Sequence, residues 1–233
     1  MNKKIYMLIL IIFIVFMLIS GSFLVSWLSE NKKTNSIRNK EEKHLTIKKD
    51  SYYLNSDILK DNPETIGWLI VPGTKINYPV VQHSDNNYYL NHDFKHNYNS
   101  AGWIFMDYQN KLGDQNIIIY GHHRHDDSMF GSIDLLFDKE FYKNNANEII
   151  FVTEKELLTY TIFSVYKASV KDTYNQPNYN NLIKKIDKFK KNSQINFKEE
   201  INENSQIITI STCSANNIDR LVVHGYRKNR IDS

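Results

Sequence analysis

"QIITISTCSANNIDRLVVHGYR", residues 206–227, holds two runs of β-branched and apolar residues on either side of a polar break. Such runs favour extended backbone, which predicts strands over Gln206–Thr212 and Leu221–Tyr226, joined through the six-residue loop Ser214–Asp219. Cys213, the single cysteine in 233 residues, stands at the mouth of the first strand. One cysteine excludes an intramolecular disulfide and a cysteine-based zinc site. It leaves a buried bystander, an intermolecular link or a reactive thiol. Free cysteines are among the most buried residues, but a core cysteine has no need of a polar strand end.

If the two strands pair as a hairpin, the loop returns Arg220 to the side of Cys213. Arg227 is the competing guanidinium, but seven further residues of strand carry it about 23 Å away, to the far end. An arginine beside a nucleophile can hold a carbonyl oxygen as it becomes an oxyanion. A thiol that attacks an amide also needs a proton shuttle, for which histidine is suited. "NIIIYGHHRHDDSMFG" places His122, His123 and His125 directly after an apolar strand. These imidazoles could also ligate a metal, but His122 and His123 are neighbours on extended chain and face opposite ways, and no familiar ligand spacing completes the set. No metal and no cofactor is therefore expected. His44, His83, His92, His96 and His224 read as scattered polar or strand residues.

Outward from this hairpin the pattern is of short extended runs separated by turn residues: near Gly67–Val71, Tyr78–Gln82, Trp103–Met106, Asn116–Tyr120, Glu148–Thr153 and Leu157–Lys167. With the hairpin they make eight strands, which predicts an all-β barrel or sandwich with added helices. One helix is expected over Tyr179–Asn192, where Leu182, Ile183, Ile186 and Phe189 share a face opposite a solvated lysine face. A second, short one is expected within Ser51–Asn62, ending at Asn62-Pro63.

Ile5–Leu28 carries no charged residue and, at about 1.5 Å per helical residue, is long enough to cross a hydrocarbon core of about 30 Å. It is also longer than a signal-peptide core, which favours an uncleaved anchor. Lys3 and Lys4 on its short side place the N-terminus in the cytoplasm and the remainder outside. Glu30–Asp50 is polar and aperiodic and reads as a tether. The expected organisation is thus residues 1–28 as N-terminus and single-pass anchor, 29–50 as tether and 51–233 as one domain. Net charge is +3, and without Lys3 and Lys4 about +1, too small an imbalance to point to nucleic acid.

"TISTC", "R-LVVHG" and "IIIYGHH…DDSMFG", taken with "NPETIGWLIVPGTKINYPVVQHSDNNYYLNHDF" (62–94) and "GWIFMDYQN" (102–110), resemble the class B sortases. The resemblance implies an eight-stranded β-barrel with an N-terminal helix and an extra helix before the cysteine strand. It implies a membrane-anchored cysteine transpeptidase, with Cys213 as nucleophile, His122 as general acid and base, and Arg220 steadying substrate and oxyanion. Its implied partners are exported proteins carrying a threonine-containing C-terminal sorting signal and a peptidoglycan amine. The family pattern has one histidine followed by another polar residue, whereas His123 stands next here. The loop between Cys213 and Arg220 is short for the class. Two other readings of these residues are a cysteine hydrolase of the same fold and a non-enzymatic surface receptor binding metal or haem.

Overall fold

The computed structural model describes residues 3–48, 51–169, 171–213 and 219–227. Among the described residues, ten strands and four α-helices follow the order α1 (Lys3–Glu41), β1 (Leu45–Lys48), β2 (Ser51–Leu54), α2 (Ile58–Asp61), β3 (Thr65–Ile70), β4 (Asn77–Val81), β5 (Phe105–Met106), β6 (Asn116–His122), α3 (Phe141–Asn144), β7 (Glu148–Val152), β8 (Leu157–Ser169), α4 (Leu182–Asn192), β9 (Ile207–Cys213) and β10 (Asp219–Arg227). The eight strands expected from sequence are β3 to β10. They close into a barrel in the order β10-β8-β7-β3-β4-β5-β6-β9. Closure leaves the sheet no free edge. Two of its seams are parallel, β4–β5 and β6–β9.

The apolar runs are continuous because part of the barrel wall is buried on both faces. Ile208 and Ile210 of β9, Val223 of β10 and Tyr160, Ile162 and Val165 of β8 point into the main core. Their neighbours Ile207, Val222, Phe163 and Tyr166 pack outward against Leu182, Ile186 and Phe189 of α4. Alternate residues of a strand face opposite sides, so α4 turns what would be a solvated face into a second core. The helix begins at Leu182, three residues later than the sequence pattern suggests, because the Asn181 side chain caps it by accepting from the Lys184 amide at 2.8 Å.

Two regions depart from expectation. The stretch read as a tether continues α1 as helix to Glu41, and Asn31, Thr34, Ile37 and Glu41 on it are buried. Composition suggested nothing to pack, but the contacts that hold this stretch are mostly polar. Lys33 pairs with Asp93 at 2.8 Å, Asn99 donates to Thr34 at 3.0 Å, and Lys95 reaches Glu41 at 3.0 Å and Asp61 at 2.8 Å. The helix expected within Ser51–Asn62 shrinks to α2. Its first part is strand β2, paired antiparallel with β1 through Leu45↔Leu54, and exposed Tyr53 next to buried Leu54 is strand alternation.

Candidate active site

Strand β9 lies between β6 and β10, parallel to the first and antiparallel to the second. Geometry follows from that alone: the C-terminal ends of β6 and β9 and the N-terminal start of β10 meet at one rim. The β6–β9 register runs from Asn116↔Ile207 to His122↔Cys213. Paired residues on neighbouring strands are about 5 Å apart at the backbone, so the chain sets His122 beside Cys213. On the other side, Val222 pairs with Ser211. The Leu221 amide donates to the Thr212 hydroxyl at 2.9 Å, and the Arg220 guanidinium donates to the Thr212 carbonyl at 3.3 Å. Arg220 is thus held against the residue preceding Cys213. Of the connecting loop, residues 214–218 lie outside the described residues.

Arg227 stands at the opposite end of β10. It pairs with Tyr160, donates to Glu156 at 3.1 Å, and lines a separate cavity of about 450 Å³ with Thr153 and Tyr52. The two arginines of this strand therefore serve opposite rims.

The local sequence around His122 explains its placement. Ile117, Ile118 and Ile119 are fully buried and fix the strand. Gly121 lets the ring of Phe130 lie against the backbone, since a Cβ there would come within 2.8 Å of that ring. The Phe130 amide in turn donates to the His122 carbonyl at 3.0 Å.

His122 Nε2 lies 2.7 Å from the carbonyl oxygen of Leu90. A carbonyl can only accept, so Nε2 carries the hydrogen and Nδ1 is the basic nitrogen of the neutral ring. Burial pushes the His122 pKa down, the Leu90 carbonyl works against that, and the positive charges of Arg124 and Arg220 add to the lowering. Near neutral pH the ring is consequently an available base.

His123 turns to the other face and bonds Asp134 at 2.7 Å. The histidine run is divided: His122 binds Leu90, His123 binds Asp134, and His125 is exposed. Arg124 is held in the following loop by Ser128 at 3.1 Å and Asp126 at 3.3 Å. Of the remaining histidines, His83 bonds Glu64 at 2.7 Å and His44 bonds Asp61 at 3.0 Å.

A groove of about 260 Å³ opens beside Arg220, lined by Asn86, Leu90, Phe105, Tyr120, Tyr174 and Asn175 among others. Tyr120 lies two residues before His122 and so on its face of β6. Its hydroxyl donates to Asp107 at 3.0 Å and accepts from Asn175 at 3.1 Å, and desolvation raises its pKa, keeping it protonated. Tyr174 shares a 2.9 Å hydrogen bond with Ser211 of β9. Sequence reasoning did not single out Leu90, Tyr120 or Tyr174. The period of two around His122 pointed to Tyr120, but Leu90 takes part through its carbonyl, which no side-chain pattern reports.

The arrangement offers a sulfur-bearing residue, a neutral imidazole and a guanidinium at one rim, next to that groove. This is the inventory for acyl transfer.

Comparison with known proteins agrees with it. The family model for the Sortase domain matches residues 69–228. Sortase B of Staphylococcus aureus is 29% identical over 221 residues, 91% of this chain and 90% of the relative. Sortase B of Listeria monocytogenes is 35% identical over 164 residues, 67% of this chain and 65% of the relative. Among solved structures, sortase B from B. anthracis in complex with AAEK1 superposes with a TM-score of 0.77 at 28% identity, covering 87% of this chain and all of that one.

Proposed function

The chain belongs to the sortase family, in its class B, whose members are cysteine transpeptidases, and we propose from that premise that it joins exported proteins to peptidoglycan. Cys213 is the nucleophile, His122 the general acid and base, and Arg220 the oxyanion and substrate donor. The observation that carries this assignment is the β6–β9 register, which pairs His122 with Cys213, together with the bond from Arg220 to Thr212.

In the first half-reaction the Cys213 sulfur attacks the carbonyl carbon of a threonine in a C-terminal sorting signal. The thiol proton passes to Nδ1 of His122 as the sulfur attacks, the C–N bond breaks, the departing amine takes that proton from His122, and a thioester remains on the enzyme. In the second, a peptidoglycan amine attacks the thioester and gives a proton to His122, which returns it to the departing sulfur as the new amide forms. The developing negative oxygen accepts from the Arg220 guanidinium in both halves. The Leu90 carbonyl fixes which imidazole nitrogen does this work, so Nδ1 is the one that exchanges protons. The groove lined by Leu90, Tyr120 and Arg220 receives the segment before the scissile bond.

Ile5–Leu28 acts as a single-pass anchor with the N-terminus in the cytoplasm, residues 29–50 as the tether, its helical part to Glu41 docked on the barrel, and 51–233 as the catalytic domain. Both substrates reach the same membrane surface, so anchoring raises the local concentration of enzyme there. The test is mass spectrometry of the purified protein with short threonine-containing peptides, followed by addition of an amine such as triglycine. An adduct on Cys213 that moves to the amine is expected. An adduct released only to water, whatever amine is added, would leave a hydrolase and overturn the transfer half.

A further inference from the structure

Helix α1 is continuous from Lys3 to Glu41, so its lower half fixes a height scale for what its upper half touches. The uncharged stretch ends at Leu28. At about 1.5 Å per residue, Glu30 stands about 3 Å and Asn31 about 4.5 Å beyond it along the axis, while Glu41 stands about 20 Å beyond. The polar layer of a bilayer leaflet is about 5–8 Å thick. Glu30 accepts a hydrogen bond from Ser100, and Asn31 accepts one from Arg124. The barrel therefore touches the helix within the first turn after the apolar stretch, and not only at the helix's upper end.

The two loops that make these contacts carry side chains suited to a lipid–water boundary. Tyr98 is 70% exposed, the largest exposure of any aromatic residue described outside the apolar stretch. His96 on the first loop and His125 on the second are exposed, and Lys32 is exposed on α1 just beyond the apolar stretch. Trp27 closes the apolar stretch. Aromatic rings with a polar tip and basic groups that meet lipid phosphate are the usual furnishing of that boundary.

We infer that the loops spanning 96–100 and 123–127 rest in the headgroup layer of the bilayer that α1 crosses, with Tyr98 as their interfacial side chain. The barrel then lies on the membrane beside its own anchor. Arg124 is two residues from His122, about 7 Å of extended chain, so the reactive rim opens just above the headgroups. A protein held by its own apolar tail and a lipid-linked acceptor would both present their reacting groups at that level. This inference rests on the reading of Ile5–Leu28 as a span.

The test uses the full chain in nanodiscs of phosphatidylcholine and phosphatidylglycerol. In a Cys213→Ala background, single cysteines replace Val15, Tyr98 or Lys155 (V15C, Y98C, K155C) and carry a nitroxide whose relaxation by oxygen and by a nickel chelate is read. Lys155 lies in the β7–β8 turn, beside β2 and Arg227 at the rim opposite Arg220. Expected is oxygen access without nickel access at 15, a loss of nickel access at 98, and full nickel access at 155. Nickel access at 98 equal to that at 155, with 15 in lipid, overturns this inference and leaves the anchor standing. Nickel access at 15 overturns both. In the otherwise unaltered chain, Tyr98→Asp is expected to slow transfer of a substrate embedded in the same bilayer while leaving turnover of a soluble peptide unchanged. An equal effect on the two substrates counts against the inference.

Discussion

Two histidines flank β9, one on each neighbouring strand, and their surroundings differ in every respect that matters for chemistry. His122 on β6 pairs with Cys213 at the barrel rim. His224 on β10 pairs with Thr209 four residues down the same strand and is fully buried. Its ring stacks on Phe189 with centroids 3.9 Å apart, and its nitrogens meet Thr209 at 2.9 Å and Tyr166 at 3.3 Å. Burial pushes its pKa down to about 3, so the ring stays neutral and serves as packing between β10 and α4. Position along the strand, not residue type, separates the imidazole proposed as proton shuttle from one that fills the core.

Substitutions at each site put that contrast at risk. The largest effect is expected for His122→Ala, which should slow formation of the Cys213 adduct by about 10³-fold, a typical loss for a general acid and base, with little change in melting temperature. A variant that acylates at the normal rate would break the comparison at its first member. Next comes Arg220→Lys, which keeps the charge but loses the planar fork; turnover should fall about 100-fold in steady-state peptide cleavage, again without loss of stability.

His224→Ala should reverse the pattern. It opens a cavity beside Phe189 and strips Thr209 and Tyr166 of a partner, costing about 2 kcal/mol in denaturant unfolding while the folded fraction keeps its specific activity. The same histidine also carries a contrast in acid stability. The unfolded imidazole titrates near 6.5 and the folded one well below it, so between those values only the unfolded chain gains the proton. Stability present above pH 6.5 should thus fall by up to about 1.4 kcal/mol per unit as pH drops, and the His224→Phe variant should lack that component of the slope.

Reading the sequence exposed this contrast only in part. The eight barrel strands were legible because β-branched runs and turn residues alternate along the chain, and the covered face of α4 was legible in the spacing of Leu182, Ile186 and Phe189. Neither showed that β6 and β9 run parallel and in the register that sets His122 beside Cys213, since that depends on how the barrel closes. Leu90 was invisible because it acts through its backbone. The docked half of α1 was missed for a different reason: its pairs, such as Lys33 with Asp93 and Glu41 with Lys95, are held by partners distant in sequence, and charge alone reads as solvation. The β1–β2 hairpin was missed because Tyr52, Tyr53 and Leu54 fit a helical face as well as a strand until Leu45 is known to lie opposite Leu54.

The parallel β6–β9 seam has a consequence in time. Its two strands are separated by most of the barrel's sequence, and parallel partners can be joined only after a long crossover has been laid down. Synthesis from the N-terminus makes β6 early and β9 and β10 last, so an incomplete chain lacks the rim at which His122 and Cys213 pair. If that rim carries the proposed transfer, the topology itself keeps the nascent protein inert until the final hairpin is made.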